Sequence, residues 1–201
     1  MRALAFLAAI IVAALIAATP AIAGPGYARG EAKPITPEQV EQRGPEAKQP
    51  VTKAEKADYN GREIDLSESW EGARACAVGD GGTQCFDSEM AMNIEIGKQD
   101  KAKGTANSRN YTCSSSLRLY KNTSYSGSTL WITSRGFWLN LSNYGYNQSV
   151  SSYKVGACSS IFADYNNGGG AWYPTAYTKK WKISWTMLSG WNDDVSSVYQ
   201  Y

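Results

Sequence analysis

Histidine is absent from all 201 residues. Without imidazole, Ser-His-Asp and Cys-His nucleophilic catalysis, histidine-ligated hydrolytic metals and imidazole pH switches are excluded. Charge is scarce and nearly balanced, 20 Lys and Arg against 18 Asp and Glu. It forms no basic stripe of the kind a nucleic-acid binder needs. Proline almost vanishes after residue 50, where Pro174 is the last of seven. Long apolar runs are missing too, except at the start. Met1-Arg2, the apolar stretch Ala3 to Ala18, and Ala21-Ile22-Ala23 before Gly24 have the parts of a secretory signal peptide. The stretch is short for the ~20 residues of a membrane-spanning helix. Residues 1–23 are therefore expected to be cleaved, leaving a secreted, extracellular chain with no membrane association.

Cysteine is sparse but even in number: Cys76, Cys85, Cys113 and Cys158. In an exported chain that reads as two disulfides, for which three pairings exist. The reading favours Cys76 with Cys85, around the Gly79-Asp80-Gly81-Gly82 turn, and Cys113 with Cys158. A four-thiolate zinc site is set aside, because neither half has a C-x-x-C step.

Large apolar residues are few between Gly24 and Ser69, which is rich in Pro, Glu, Lys, Gln and Ala. Such a stretch buries too little to offset ordering entropy, so residues 24–69 read as a disordered linker or propeptide. Residues 70–112 read as an N-terminal elaboration of the folded body. In it, a hairpin over Ala73 to Phe86 is followed by a helix over Glu89 to Ile96, capped by Asp87 or Ser88 and ended by Gly97. Lys98 to Arg109 reads as loop. Residues 113–201 hold the core, with seven basic residues against Asp164, Asp193 and Asp194. Leu117–Tyr120, Thr129–Ile132 and Lys182–Trp185 alternate with strand period between Gly and Asn turns, which predicts an all-β sandwich of antiparallel hairpins.

One phrase occurs twice. Gly145-Tyr146-Asn147-Gln148-Ser149-Val150-Ser151-Ser152 returns 45 residues later as Gly190-Trp191-Asn192-Asp193-Asp194-Val195-Ser196-Ser197. Each copy also opens on an apolar-aromatic pair and a turn to glycine, Leu119-Tyr120 to Tyr125 and Gly127, then Ile161-Phe162 to Asn167 and Gly169. The C-terminal half is therefore two copies of one supersecondary unit. Glycines 127 and 169 are expected to supply the positive φ of a folded-over hairpin.

An aromatic, four residues, an aromatic, one residue and Gly, followed by Asn-x-x-Val-Ser-Ser, resembles the Greek-key signature of the βγ-crystallin superfamily. The resemblance covers about residues 113 to 201 and implies a sandwich of two Greek-key motifs, with the disulfide hairpin and helix added in front. In calcium-binding members the phrase supplies oxygens, which by position are Gln148, Ser149 and Ser151 in one copy and Asp193, Asp194 and Ser196 in the other. Calcium takes six to eight oxygens, so such carbonyls, hydroxyls and a single carboxylate suit a weak site. Gln148 is neutral and long, which should impair the site that depends on it.

The chain also resembles secreted bacterial peptidase inhibitors of βγ-crystallin fold, whose characterised type blocks zinc metalloendopeptidases. That implies a non-enzymatic, monomeric protein presenting a rigid loop to an extracellular protease. The candidate loops are Cys76–Cys85 and Asn166-Asn167-Gly168-Gly169-Gly170. The glycine run counts against the second as too pliant. Two alternatives are a calcium-stabilised structural or surface module, and an antimicrobial protein binding cell-wall glycan through exposed tryptophans. Of these, Trp172 beside Tyr173-Pro174 is expected to be the most exposed. No cofactor other than weak calcium is implied, and Asp193 and Asp194 are too close in sequence to act as opposed glycosidase carboxylates.

Overall fold

The computed structural model describes residues 52–79, 81–102 and 116–201. The body begins with β5 (Leu117–Asn122) and β6 (Ser126–Ile132), followed by β7 (Trp138–Asn140) and β8 (Ser152–Lys154). Its second half repeats the order with β9 (Ser160–Ala163), β10 (Trp172–Thr178), β11 (Ile183–Ser184) and β12 (Ser197–Gln200). Each copy sends its third strand into the other's sheet. β7 pairs with β12 in the four-stranded sheet β10-β9-β12-β7, and β11 pairs with β8 in the larger one. This reciprocal exchange makes two interlocked Greek keys, the all-β sandwich expected from the repeat.

Strand alternation aims one face of each sheet inward. Leu117, Leu119, Leu130 and Ile132 from one sheet meet Leu139, Phe162, Tyr173 and Val198 from the other, all buried in a single cluster. Tyr153 bridges the two, its ring centroid 5.0 Å from Phe162 and 5.7 Å from Tyr173. Val150 and Val195, the valines of the repeated phrase, are fully buried in the same cluster.

Four further strands widen the larger sheet to eight. They are β1 (Lys56–Tyr59), β2 (Arg62–Asp65), β3 (Ala75–Gly79) and β4 (Gly82–Phe86), in the sheet order β11-β8-β5-β6-β3-β4-β1-β2. β3 runs parallel to β6, with Cys76 beside Leu130. The predicted hairpin is thus present, and Cys76 and Cys85 face each other across it as a disulfide. Cys158 is disulfide-bonded as well. Cys113, its expected partner, lies outside the described residues.

The linker expected over 24–69 is corrected at its C-terminal end, because residues 52–69 are folded. Ala57, Tyr59, Ile64 and Leu66 alternate inward and join the main core. Between them Asn60 (φ 55°) and Gly61 (φ 75°) make the two-residue left-handed turn that suits hairpins. The chain before β1 is clipped down by Asn143, whose Oδ1 accepts from Thr52 N, Thr52 Oγ1 and Lys53 N at 3.0–3.1 Å. Residues 24–51 lie outside the described residues.

Helix α1 (Glu89–Ala102) is longer than predicted. Ser88 caps it by accepting from Ala91 N, while Asp87 instead accepts from the Tyr59 hydroxyl at 2.6 Å. Gly97 does not end it, and residues 98–102, expected as loop, continue it. Glycine is a poor helix former, worth roughly 1 kcal/mol against alanine, and that is not enough to stop a docked helix. Glu89 makes the dock, accepting from Arg118 at 2.7 Å and from the Tyr120 hydroxyl at 3.0 Å. Burial and the nearby Glu89 push the Tyr120 phenol up to about 12.

Candidate functional site

Of the six residues expected to offer oxygens to calcium, the structure brings two together, Ser151 of the first copy and Asp193 of the second. Ser151 follows buried Val150 and immediately precedes β8; its backbone N–H donates to the Tyr120 carbonyl at 2.9 Å. That fixes its hydroxyl 2.8 Å from the Lys121 carbonyl and 3.0 Å from Asp193 Oδ1. Asp193 arrives from the other copy on a left-handed backbone (φ 58°), held by its own N–H on the Val150 carbonyl at 3.1 Å. Asn192 steadies its second oxygen at 2.8 Å.

A carbonyl and a carboxylate oxygen therefore both lie within hydrogen-bond distance of one buried hydroxyl. A single hydroxyl proton can serve the carbonyl or the carboxylate, not both at once. A hard cation accepts all three oxygens as ligands, so the donor set fits calcium. Among the described residues no three His, Cys, Asp or Glu side chains gather into a cluster.

The mate of this site is less complete. Gln148 occupies the place of Asp193, again left-handed (φ 49°), with its N–H on the Val195 carbonyl at 3.0 Å. Ser196 occupies the place of Ser151, its N–H on the Ala163 carbonyl at 2.8 Å. Its hydroxyl is buried and has no hydrogen-bond partner among the described residues. Ser196 thus matches Ser151 in backbone but has no carboxylate bonded to its hydroxyl, as Asp193 is bonded to Ser151. Ser149 and Asp194 flank the two sites; the Ser149 hydroxyl turns away to the Asn147 carbonyl at 2.9 Å.

The backbone bonds correct the register of the repeat's first half. Ser151 reads Tyr120 while Ser196 reads Ala163, and Tyr120 pairs with Thr129 as Ala163 pairs with Trp172. The mate of Gly127 (φ 79°) is thus Gly170 (φ 72°), whereas Gly169 sits at φ −68°. The matched positions to Tyr120 and Tyr125 are Ala163 and Gly168, so the second copy lacks both aromatics. Gly168 lies flat on Trp138 instead, and a Cβ there would collide with that ring.

Two further expectations change. The Asn166–Gly170 loop is tied rather than pliant: Asn167 N donates to Asn140 Oδ1 at 2.7 Å and Gly168 N to Ser197 Oγ at 3.0 Å. Trp172 and Tyr173 are buried, and the exposed indoles are Trp181 and Trp185. The Cys76–Cys85 hairpin lies inside its sheet between β6 and β1, so only its tip is presented.

No family model matches the chain, and no curated relative does either. Solved structures do resemble it, and they are βγ-crystallin domains. One from Flavobacterium johnsoniae is 22% identical, covers 42% of this chain and 92% of its own, with a TM-score of 0.34. One from Ciona intestinalis is 22% identical over 43% of this chain and 99% of its own, with a TM-score of 0.35. The N-terminal domain of protein S is 19% identical over 43% and 96%, with a TM-score of 0.37. What makes the body a pair of Greek keys is its own strand order, with each third strand exchanged.

Proposed function

We propose that this is a secreted, non-enzymatic binding module that holds one calcium ion between its two Greek keys. One observation carries this reading, the convergence of Lys121 O, Ser151 Oγ and Asp193 Oδ1. Asp193 supplies the negative charge, Ser151 the hydroxyl and Lys121 the carbonyl, with water completing the shell. A single carboxylate suits an affinity on the order of 10⁻⁴–10⁻³ M, the range of extracellular modules. Titration calorimetry on residues 24–201, which retain every described residue, should find one calcium, and Asp193→Ala should abolish it. No heat at millimolar calcium in the parent chain overturns the reading.

The inhibitor reading stands second, favoured by the disulfide directly across β3 and β4. That brace makes the exposed Gly81-Gly82 tip a preorganised loop, which costs little entropy to dock. Residues 24–201 in excess over a thermolysin-type endopeptidase decide it, and full residual peptidase activity removes it.

A further inference from the structure

The chain between β10 and β12 carries a second surface that calcium does not use. Trp181, Ile183, Trp185 and Leu188 are 61%, 55%, 63% and 56% exposed. Four large apolar side chains so close in sequence are rarely left in water without a partner. Their backbone is nevertheless fixed. Trp181 N donates to Gly156 O at 2.8 Å, Lys182 O accepts from Val155 N at 2.8 Å, and Trp185 O accepts from Ser124 N at 2.7 Å. Trp181 even holds a left-handed φ of 64°, an uncommon state for a bulky residue. The rings are thus held outward by a rigid frame.

Cations accompany them. Lys179, Lys180 and Lys182 are exposed, and none meets a carboxylate among the described residues. No acidic residue occurs from Tyr165 to Asn192. Across the sheet Lys154 pairs with Ile183, but its ammonium is held over the Tyr125 ring at 4.4 Å, so the three exposed lysines carry the charge of this edge. Among the described residues this surface is therefore apolar and cationic, and its three exposed lysines make no ion pair.

We propose that this edge docks on the surface of an anionic phospholipid bilayer. Indoles settle at the headgroup boundary, Ile183 and Leu188 reach the acyl region, and the lysines meet lipid phosphates. Branched aliphatics offer no ring face to a sugar, which sets a glycan partner behind lipid. A second copy is disfavoured, because twofold pairing of this edge would face the three lysines with their own mates. Among the described residues no helix is long and apolar enough to cross a membrane, and surface docking needs none. The inference reverses the expectation that the cleaved chain avoids membranes.

The test uses residues 24–201, without the N-terminal apolar run, in EDTA so that calcium cannot bridge protein to phosphate. Co-sedimentation should occur with phosphatidylcholine–phosphatidylglycerol vesicles and not with phosphatidylcholine alone. At about fivefold per lysine, the K179Q/K180Q/K182Q variant should bind on the order of a hundredfold more weakly. W181A/W185A should also release the vesicles. Acyl chains brominated near the headgroup should quench tryptophan emission of the unaltered protein, a readout that needs no variant to fold. Absence of binding to the anionic vesicles overturns the proposal. So does lysine-dependent binding that W181A/W185A leaves intact and bromine does not quench, which would mark simple polyanion capture, as by an acidic polysaccharide.

Discussion

Gln148 and Asp193 are structural mates: both take left-handed backbone, and each donates its N–H to the buried valine of the other's copy. Through Val195 and Val150 the two loops hold one another in place, so the site is positioned by the core and not by loop chemistry alone. The mates differ in side chain, a neutral amide on Gln148 against a carboxylate on Asp193.

Restoring that difference should create a second site. Gln148→Asp puts a carboxylate beside the orphan Ser196 hydroxyl, and Asp tolerates left-handed backbone better than most residues. Calorimetry should then count two calcium ions instead of one. At about ten times the dissociation constant, each ion adds ~1.4 kcal/mol to stability. The melting midpoint with calcium should therefore rise further in the variant than in the parent. An unchanged stoichiometry would show that the second loop is closed to cations for another reason.

The corrected register is testable through two adjacent glycines. A Cβ on Gly170, at φ 72°, would collide with Asp164 Oδ1, the oxygen that accepts from Ala171 N at 2.8 Å. A Cβ on Gly169, at φ −68°, would lie 3.2 Å from Tyr165 Cβ, a tight contact that needs a shift of only a few tenths of an ångström. Gly170→Ala should cost about 2–4 kcal/mol and Gly169→Ala under about 1 kcal/mol in urea unfolding. Equal costs would return the hairpin glycine to position 169.

These glycines show why part of the fold was legible and part was not. Asn-x-x-Val-Ser-Ser survives in both copies because Val150, Val195 and the serine backbones make twofold-equivalent contacts. In the second copy Trp138 covers Gly168, where the first copy has Tyr125, and Phe162 mimics the opening aromatic one place early. The hairpin β1–β2 was missed although Asn60-Gly61, set between alternating Ala57, Tyr59, Ile64 and Leu66, announces it. Its polar outer face gave the stretch a linker's composition. Nothing local could report that β1 and β3 run parallel to β4 and β6, since both pairings are made across the sheet. The proposed calcium site was legible in part, through Ser151 and Asp193, but the Lys121 carbonyl beside them was not. A backbone ligand leaves no mark in side-chain identity.

The disulfide should matter to the larger sheet as a whole. Cys76 and Cys85 are nine residues apart and buried in the shared core, between strands that link β6 to β1. Closing a loop of about ten residues stabilises by roughly 2–3 kcal/mol. The C76A/C85A pair should lose about that much in urea unfolding and should loosen β1 and β2 by hydrogen exchange before β9 and β12. A uniform loss of protection across both sheets would contradict the view that the added strands hang on this staple.

Acid should open the same end of the sheet. Asp65 accepts from Lys56 Nζ at 2.8 Å and from the Ser67 hydroxyl at 2.6 Å, and these bonds lower its carboxyl from 3.8 to about 2. A carboxylate with a depressed folded-state value contributes stability that is complete above about pH 4 and is lost as pH falls through about 2. Below that, the proton removes the charge that Lys56 and the Ser67 donors hold, and the β1–β2 register loses its outer clasp. Asp65→Asn should therefore be the less stable protein at neutral pH, with the gap narrowing between pH 4 and pH 2. Urea midpoints of the two proteins across that window test it. Parallel acid limbs would mean that the clasp is too exposed to contribute.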